Sequence, residues 1–204
     1  MKPITARLAT PLVNEELAAN FALTVIELFQ EAGEDFAVTA ARNAFFWGER
    51  CLTLYEEQQP LPQPVACQPG CDYCCYNQVE LTAPEALLLG ASLAAALTPA
   101  EVQSLVARAQ VSVARRRGHT KLEVADLRRH LPCPLLMDHH CLLYEARPLM
   151  CRAMHSLEVQ DCREELARPR QARVRFYQHR QVIYLSLSQG LIDACRGLGL
   201  QGGP

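Results

Sequence analysis

Apolar residues recur at helical spacing along most of the chain, which predicts a mainly helical protein. Asn14 is a helix-capping residue in front of an amphipathic segment, and Gly33 is placed to end that helix. A second apolar stretch runs from Asp35 to Leu54. Near the other end of the chain, residues 173–196 carry one long apolar face and predict a last helix.

Two similar helix starts lie in the middle of the chain. Each has a threonine three residues before a glutamate, with a proline between them, which predicts a capping box. The pairs are Thr82 with Glu85 and Thr98 with Glu101. The predicted helices cover residues 87–97, 102–116 and, for a shorter third one, 122–130.

The remaining segments predict irregular structure. Residues 58–69 contain four prolines and are expected to form a semi-extended linker. Residues 133–152 predict turns and short irregular pieces. Strand signals are weak, and residues 78–81 and 141–144 are the two candidates for short strands.

Length and charge limit the class of protein. The 204 residues are half hydrophobic, enough for one domain with a core of its own. The net charge of -2 and the solvated position of the arginines at 115–117 argue against a nucleic-acid partner. Residues 1–30 lack the order of a signal peptide, and no apolar run is long enough to span a bilayer. We therefore expect a cytoplasmic protein with no membrane partner.

Eight of the ten cysteines fall into two clusters. They are Cys67, Cys71, Cys74, Cys75, Cys133, Cys141, Cys151 and Cys162. Thiolates at short separations can turn back on one centre, and sulfur suits zinc or iron. In a reducing compartment such cysteines are metal ligands or redox groups more often than disulfides.

The arrangement of the metal centre stays open at this point. The spacing of Cys67, Cys71 and Cys74 can hold three corners of an iron–sulfur cluster. Radical S-adenosylmethionine enzymes share that short spacing, but they need a β/α barrel for which this chain has no pattern. Adjacent side chains diverge, so either one of Cys74 and Cys75 is not a ligand or the two face different partners. Two metal centres, or one cluster with one zinc ion, are both compatible with eight sulfurs.

Two arginines and a histidine accompany the second cysteine cluster. Arg147 and Arg152 flank Cys151 and are expected to offset thiolate charge or to contact an anionic substrate. His155 follows Cys151 by four residues, on the same face of a helical segment, and is the best histidine candidate for the site.

Several other residues receive ordinary structural interpretations. His139 and His140 are expected to be solvated loop residues. Cys51 and Cys195 lie on apolar helical stretches and are expected to be small buried hydrophobes. The three aromatic residues at 45–47 are expected in the core.

The motifs together resemble the YkgJ-like cysteine-cluster family, also called the zinc- or iron-chelating CxxCxxCC domain. That family has a cysteine quartet before a threonine-and-glutamate helix start, then C-P-x-L, a cysteine near a tyrosine, R-P-x-x-C-R and a last cysteine. The resemblance covers about residues 65–165. The matching positions are the eight clustered cysteines with Thr82, Glu85, Pro134, Leu136, Tyr144, Arg147, Pro148 and Arg152. One departure is the three residues between Cys67 and Cys71, where the family name implies two.

The resemblance implies chelation of zinc or iron. The flagellin lysine N-methylase is similar and carries such a domain with an iron–sulfur cluster, which raises a methyl-transfer hypothesis. The alternatives to a metal-binding protein are therefore an iron–sulfur-dependent enzyme, such as a protein lysine methyltransferase, and a redox sensor. No nucleophile, general base or nucleotide-binding glycine loop accompanies the cysteines, which favours metal binding.

The sequence thus predicts a helical bundle wrapped around an irregular cysteine-ligated metal or iron–sulfur site. We expect an N-terminal helical segment over residues 1–64, a cysteine-cluster domain over 65–165, and a C-terminal helix on the same core over 166–204. The predicted partner is a metal ion, and the sequence leaves any protein partner unknown.

Overall fold

The structure is a computed structural model that describes residues 4–5, 13–169 and 171–203. It confirms the mainly helical prediction, with 66% helix and little strand. The helices are α1 (Glu15–Ala32), α2 (Phe36–Gln58), α3 (Ala83–Ala96), α4 (Pro99–Arg116), α5 (Lys121–Leu127), α6 (Leu149–Ala153), α7 (Val159–Ala167) and α8 (Gln178–Gly197). The strands are β1 (Ile4–Thr5), β2 (Leu136–Met137), β3 (His140–Cys141) and β4 (Arg175–Phe176). In this part of the chain, no helix has the length and apolarity needed to cross a bilayer.

The core forms where α1, α2 and α8 pack against one another, with α6 against α8. Val25 of α1 and Leu187 and Leu191 of α8 are almost fully buried there. The backbones of α1 and α8 come very close, since a Cβ atom added at Gly190 would lie 2.7 Å from the carbonyl oxygen of Ala18. Glycine is therefore required at this crossing.

The ends of α1 confirm the prediction from capping residues. The Asn14 side chain accepts a hydrogen bond from the Leu17 N–H at 2.9 Å. The Asn14 N–H also donates to Ser186 of α8 at 2.8 Å, which fixes the start of α1 on its neighbour. Gly33, with a φ of +56°, ends the helix.

Both predicted capping boxes are formed. Thr82 with Glu85 starts α3, and Thr98 with Glu101 starts α4. A third box, Thr120 with Glu123, starts α5 and was not predicted. Because proline is accepted in the first turn, α3 begins four residues and α4 three residues before the predicted ranges of 87–97 and 102–116.

Glu85 does more than cap its own helix. Its side chain is buried, and Oε1 accepts a hydrogen bond from the Leu149 N–H at 2.7 Å. Leu149 is the first residue of α6, whose first-turn N–H groups have no partner within the helix. One carboxylate therefore caps both α3 and α6.

Several predicted elements were wrong in detail. Residues 149–153 and 159–167 are helical, where the sequence indicated turns or no element. The last helix begins at residue 178 instead of 173, because β4 precedes it and pairs antiparallel with β1. Residues 78–81 form no strand, and of residues 141–144 only Cys141 lies in one.

The hairpin of β2 and β3 turns through Asp138 and His139, which both have positive φ. Two consecutive residues of this conformation form a type I′ turn, whose twist matches the paired strands. The turn places Cys141 opposite Leu136.

The core prediction for the aromatic residues at 45–47 was wrong for two of them. Phe45 is buried, whereas Phe46 and Trp47 are 61% and 43% exposed. The buried stripe of α2 passes through Ala41, Phe45 and Leu52, so the next two positions after Phe45 turn away from it. Among the unclustered thiols, Cys195 is buried and Cys51 is half-buried against the core.

Candidate metal centre

The eight clustered cysteines come from four separate segments of the chain. The first segment follows α2 and contains Cys67, Cys71 and, in a 3₁₀ turn, Cys74 and Cys75. The second is the β2–β3 hairpin, with Cys133 ahead of β2 and Cys141 on β3. The third and fourth are α6, with Cys151, and α7, with Cys162. All ten cysteines of the chain are free thiols. The structure therefore contains no disulfide framework.

Backbone hydrogen bonds bring these segments together. The N–H of Cys133 donates to the carbonyl oxygen of Cys75 at 2.8 Å. On the other side of the loop, the N–H of Ala66 donates to the carbonyl oxygen of Ser156 at 2.8 Å. The cysteine loop thus lies between the β2–β3 hairpin and the connection from α6 to α7.

Ser156 lies between two of the thiols. It is 1% exposed, its Oγ donates to the Glu158 carbonyl oxygen at 2.8 Å, and it lowers the pKa values of Cys162 and Cys67, although larger effects raise both. Burial raises the pKa of Cys162 to about 11, and repulsion from the thiolates of Cys67, Cys71 and Cys74 adds to this increase.

A second set of thiols lies around α6 and the hairpin. Burial raises the pKa of Cys151 to about 12, and negative charge on Cys133, Cys74 and Cys141 raises it further. Burial also raises the pKa of Cys133, again with contributions from Cys141 and Cys74. As thiolates, these cysteines would therefore repel one another.

Cys74 interacts with both sets. A hydrogen bond with the Cys75 side chain contributes most to raising the pKa of Cys74, and burial of the thiol adds to it. Cys74 is solvent-exposed as a residue.

Arg147 carries a positive charge that acts on three of the thiols. It lowers the pKa of Cys67, Cys74 and Cys151, although larger effects raise all three. Its guanidinium lies 4.0 Å from the ring centroid of Tyr144. Its Nε is buried and has no hydrogen-bond partner among the described residues.

Arg152 instead holds the loop that carries Arg147. Its Nε donates to the carbonyl oxygen of Arg147 at 3.0 Å, and Nη1 pairs with Glu49 at 2.7 Å. The guanidinium also lies 4.4 Å from the ring centroid of Phe45. These contacts hold the backbone of Arg147 in position.

The donor set fits zinc or iron in its chemistry, since thiolate sulfur is a preferred ligand of both metals. Within residues 4–5, 13–169 and 171–203, no three histidine, cysteine, aspartate or glutamate side chains lie close enough together to hold a metal ion.

The sequence profile of the CxxCxxCC family, described as a proposed zinc- or iron-chelating domain, matches residues 66–181. This chain belongs to the CxxCxxCC family. The match spans more than half of the chain and includes all eight clustered cysteines. Comparison with curated proteins found no significant match, and comparison with solved structures found none either.

His155 of this CxxCxxCC domain has a structural role. Its Nε2 accepts a hydrogen bond from the Tyr177 N–H at 2.8 Å, so the ring proton lies on Nδ1, which donates to the Ala153 carbonyl oxygen at 3.0 Å. Burial lowers the pKa of His155 to about 4. With both nitrogens engaged, the ring has no lone pair for a metal, and its prediction as a site candidate was wrong.

His139 is solvent-exposed on the hairpin turn, as expected, and it also has a partner. Its Nδ1 lies 2.9 Å from Oδ2 of Asp72, a buried residue next to Cys71. This contact links the tip of the β2–β3 hairpin to the first cysteine loop. His140 is likewise exposed, as expected.

Two arginines next to the CxxCxxCC site were missed by the sequence analysis. Arg116, expected to be solvated, donates to the Leu131 carbonyl oxygen at 2.9 Å and interacts electrostatically with Cys133. Arg128 is 7% exposed in its side chain and pairs with Glu165 of α7. Both arginines precede Cys133 in the sequence, and this order is the signal that could have marked them as candidates for the site.

An open groove of about 730 Å³ runs along one side of the CxxCxxCC site. Cys141, Tyr144 and Arg152 line it, together with Phe45 and Phe46 of α2. Solvent can therefore reach the hairpin side of the cysteine set.

Proposed function

We propose that this protein binds zinc or iron through the thiolates of its eight clustered cysteines. The observation that carries the proposal is that backbone hydrogen bonds join the chain segments that carry the eight free thiols. Neighbouring thiolates repel one another, and a bound cation removes that repulsion. Membership in the CxxCxxCC family supports the same conclusion.

The proposed ligands are Cys67, Cys71, Cys74, Cys75, Cys133, Cys141, Cys151 and Cys162. Arg147 offsets the negative charge that four thiolates leave on a divalent ion, and Arg152 keeps Arg147 in position. Binding requires that the thiols lose their protons. The pKa values of six of them are raised in the metal-free protein, those of Cys67, Cys71, Cys74, Cys133, Cys151 and Cys162. Metal uptake is therefore expected to release protons and to weaken as the pH falls.

The same donor set accommodates zinc ions or an iron–sulfur cluster, and we keep both within the proposal. Ten free thiols in one chain are stable in a reducing compartment. We therefore propose a cytoplasmic location.

The test is metal and acid-labile sulfide content after purification without oxygen. We expect stoichiometric zinc or iron in the wild-type protein and in Cys195→Ser, whose thiol lies in the core away from the clusters. Cys71→Ser and Cys151→Ser should each lower the metal content. Iron with matching sulfide would identify a cluster, and zinc without sulfide would identify zinc centres. Undiminished metal content in both cluster variants would contradict the proposal.

A further inference from the structure

Arg128 is a buried arginine that joins two of the cysteine-carrying segments. Its side chain is 7% exposed, and Nη2 pairs with the Glu165 carboxylate and donates to the Glu165 carbonyl oxygen. Glu165 follows Cys162 by three residues on α7, so the two share a face of that helix. Arg128 itself precedes Cys133 by five residues, in a 3₁₀ turn. The ion pair therefore connects α7 to the segment that leads into Cys133.

The other amino group of Arg128 contacts the first cysteine segment. Nη1 donates a hydrogen bond to Oδ1 of Asn77. Asn77 ends the 3₁₀ turn that carries Cys74 and Cys75, and its N–H donates to the Cys74 carbonyl oxygen at 3.1 Å. A shift of Asn77 is therefore passed directly to the backbone of Cys74.

Asn77 extends the network to α6. Its Nδ2 donates to Sδ of Met154 at 3.3 Å. Met154 comes directly after α6, and its N–H donates to the Cys151 carbonyl oxygen at 3.3 Å. The contacts from Glu165 through Arg128 and Asn77 to Met154 thus reach all four segments that carry the clustered cysteines.

The burial of Arg128 favours this one arrangement. A buried guanidinium is costly unless it is paired and hydrogen-bonded, and its planar fork binds acceptors in fixed directions. Separation of the segments would remove Asn77 or Glu165 from the buried charge. The network consists of protein atoms alone, so it acts before any metal ion is bound.

We propose that Arg128 is a positioning residue that holds the four cysteine segments together in the metal-free protein. This inference rests on the proposed metal binding and adds the residue that prepares the site for the ion. Residues that orient metal ligands without touching the metal typically change its affinity about 10–100-fold.

The experiment compares Arg128→Met with the wild-type full-length protein under anaerobic conditions. Chelator competition gives the affinity for Zn²⁺, and peptide mass spectrometry gives the alkylation rate of each thiol in the metal-free protein. We expect the zinc affinity to fall about 10–100-fold and Cys75, Cys133 and Cys162 to react several times faster. Cys151 should keep its rate, because Glu85 holds the start of α6 independently.

Two controls separate positioning from a general loss of stability. Val25→Ala removes packing from the buried face of α1, a helix without a cysteine. It should destabilise the protein but leave the zinc affinity and the relative alkylation rates unchanged. Arg129→Met, at the exposed neighbouring position, should behave like the wild type.

A milder variant, Asn77→Ala, tests the network without leaving a buried charge unpaired. The pair of Arg128 and Glu165 remains, while the link to the first segment is lost. We expect faster alkylation of Cys75 and an unchanged rate for Cys162. This variant decides the question even if Arg128→Met does not fold.

The outcomes separate the two proposals. The same changes in Val25→Ala as in Arg128→Met would show that Arg128 contributes stability alone and would overturn its positioning role. Wild-type alkylation rates in Asn77→Ala would also overturn it. A wild-type protein that binds neither zinc nor iron would overturn the proposed function, and the alkylation rates of the metal-free protein would still decide the role of Arg128.

Discussion

Replacement of Glu85 by alanine tests how the helical scaffold holds the cysteine site. The Glu85 carboxylate accepts hydrogen bonds from the Thr82 N–H at 2.9 Å and from the Leu149 N–H at 2.7 Å. Both donors are buried, and the second one starts the helix that carries Cys151. The substitution therefore loosens the beginnings of α3 and α6 together.

The expected cost follows from the groups left without partners. A buried N–H that loses its acceptor costs about 1–3 kcal/mol, and two such groups remain after Glu85→Ala. We expect the free energy of unfolding to fall by about 3–5 kcal/mol. Glu85→Gln keeps the size of the side chain and one acceptor oxygen, so it should cost about half as much.

The assay is urea unfolding of the metal-free, reduced protein, followed by far-ultraviolet circular dichroism. The matched control is Glu101→Ala, which removes the same capping box from α4 but at a solvent-exposed position without a second helix. Glu85→Ala should destabilise the protein several times more than Glu101→Ala, and it should speed alkylation of Cys151. Equal losses of stability in the two variants would refute the reasoning, because the carboxylate would then cap α3 alone.

Three further predictions concern charge, pH and packing. Arg147→Met should raise the pKa of Cys151 further and weaken zinc binding in a chelator competition, because a positive charge near the thiolates is lost. The folded-state pKa of His155 is about 4, below the unfolded value of 6.5, so the unfolded chain takes up its proton first. The free energy of unfolding of the metal-free protein should therefore be highest above pH 6.5 and fall by about 3 kcal/mol as the pH is lowered to 4, measured by urea titration. Gly190→Ala should destabilise the protein by about 1–3 kcal/mol, because its Cβ meets the Ala18 carbonyl oxygen. Gly90→Ala, on α3 with open space around it, should instead stabilise it by about 0.5–1 kcal/mol.

Each of these predictions has an outcome that would contradict it. Unchanged zinc affinity in Arg147→Met would place that charge outside the site. If His155→Gln has the same pH dependence of stability as the wild type, that dependence comes from other groups. The control is His119→Gln, at an exposed position, which should keep the wild-type pH dependence. Equal stability of the Gly190→Ala and wild-type proteins would mean that α1 and α8 can separate without cost.

Local signals in the sequence predicted most of the helices. Asn14, Gly33 and the threonine–glutamate pairs act within one turn of the helix that they start or end, so they can be read without knowledge of the fold. The short helices α6 and α7 could not be predicted this way. The first turn of α6 depends on Glu85, which lies 64 residues earlier in the chain.

The same distinction applies to the site. Cysteine spacing identified the eight candidate ligands, because short separations can be read from the sequence alone. The roles of Ser156, Asp72 and Arg116 depend on contacts between distant segments, and those residue types are common on any surface. His155 had suitable spacing, but in the structure both of its ring nitrogens form hydrogen bonds with backbone groups.

The most direct test of metal binding through sulfur is X-ray absorption at the metal edge of protein purified without oxygen. We predict a first shell composed of sulfur, about four atoms at about 2.3 Å from the metal for zinc, and the loss of that signal in Cys71→Ser combined with Cys151→Ser. A first shell of nitrogen and oxygen, or a wild-type protein without zinc or iron, would contradict the account.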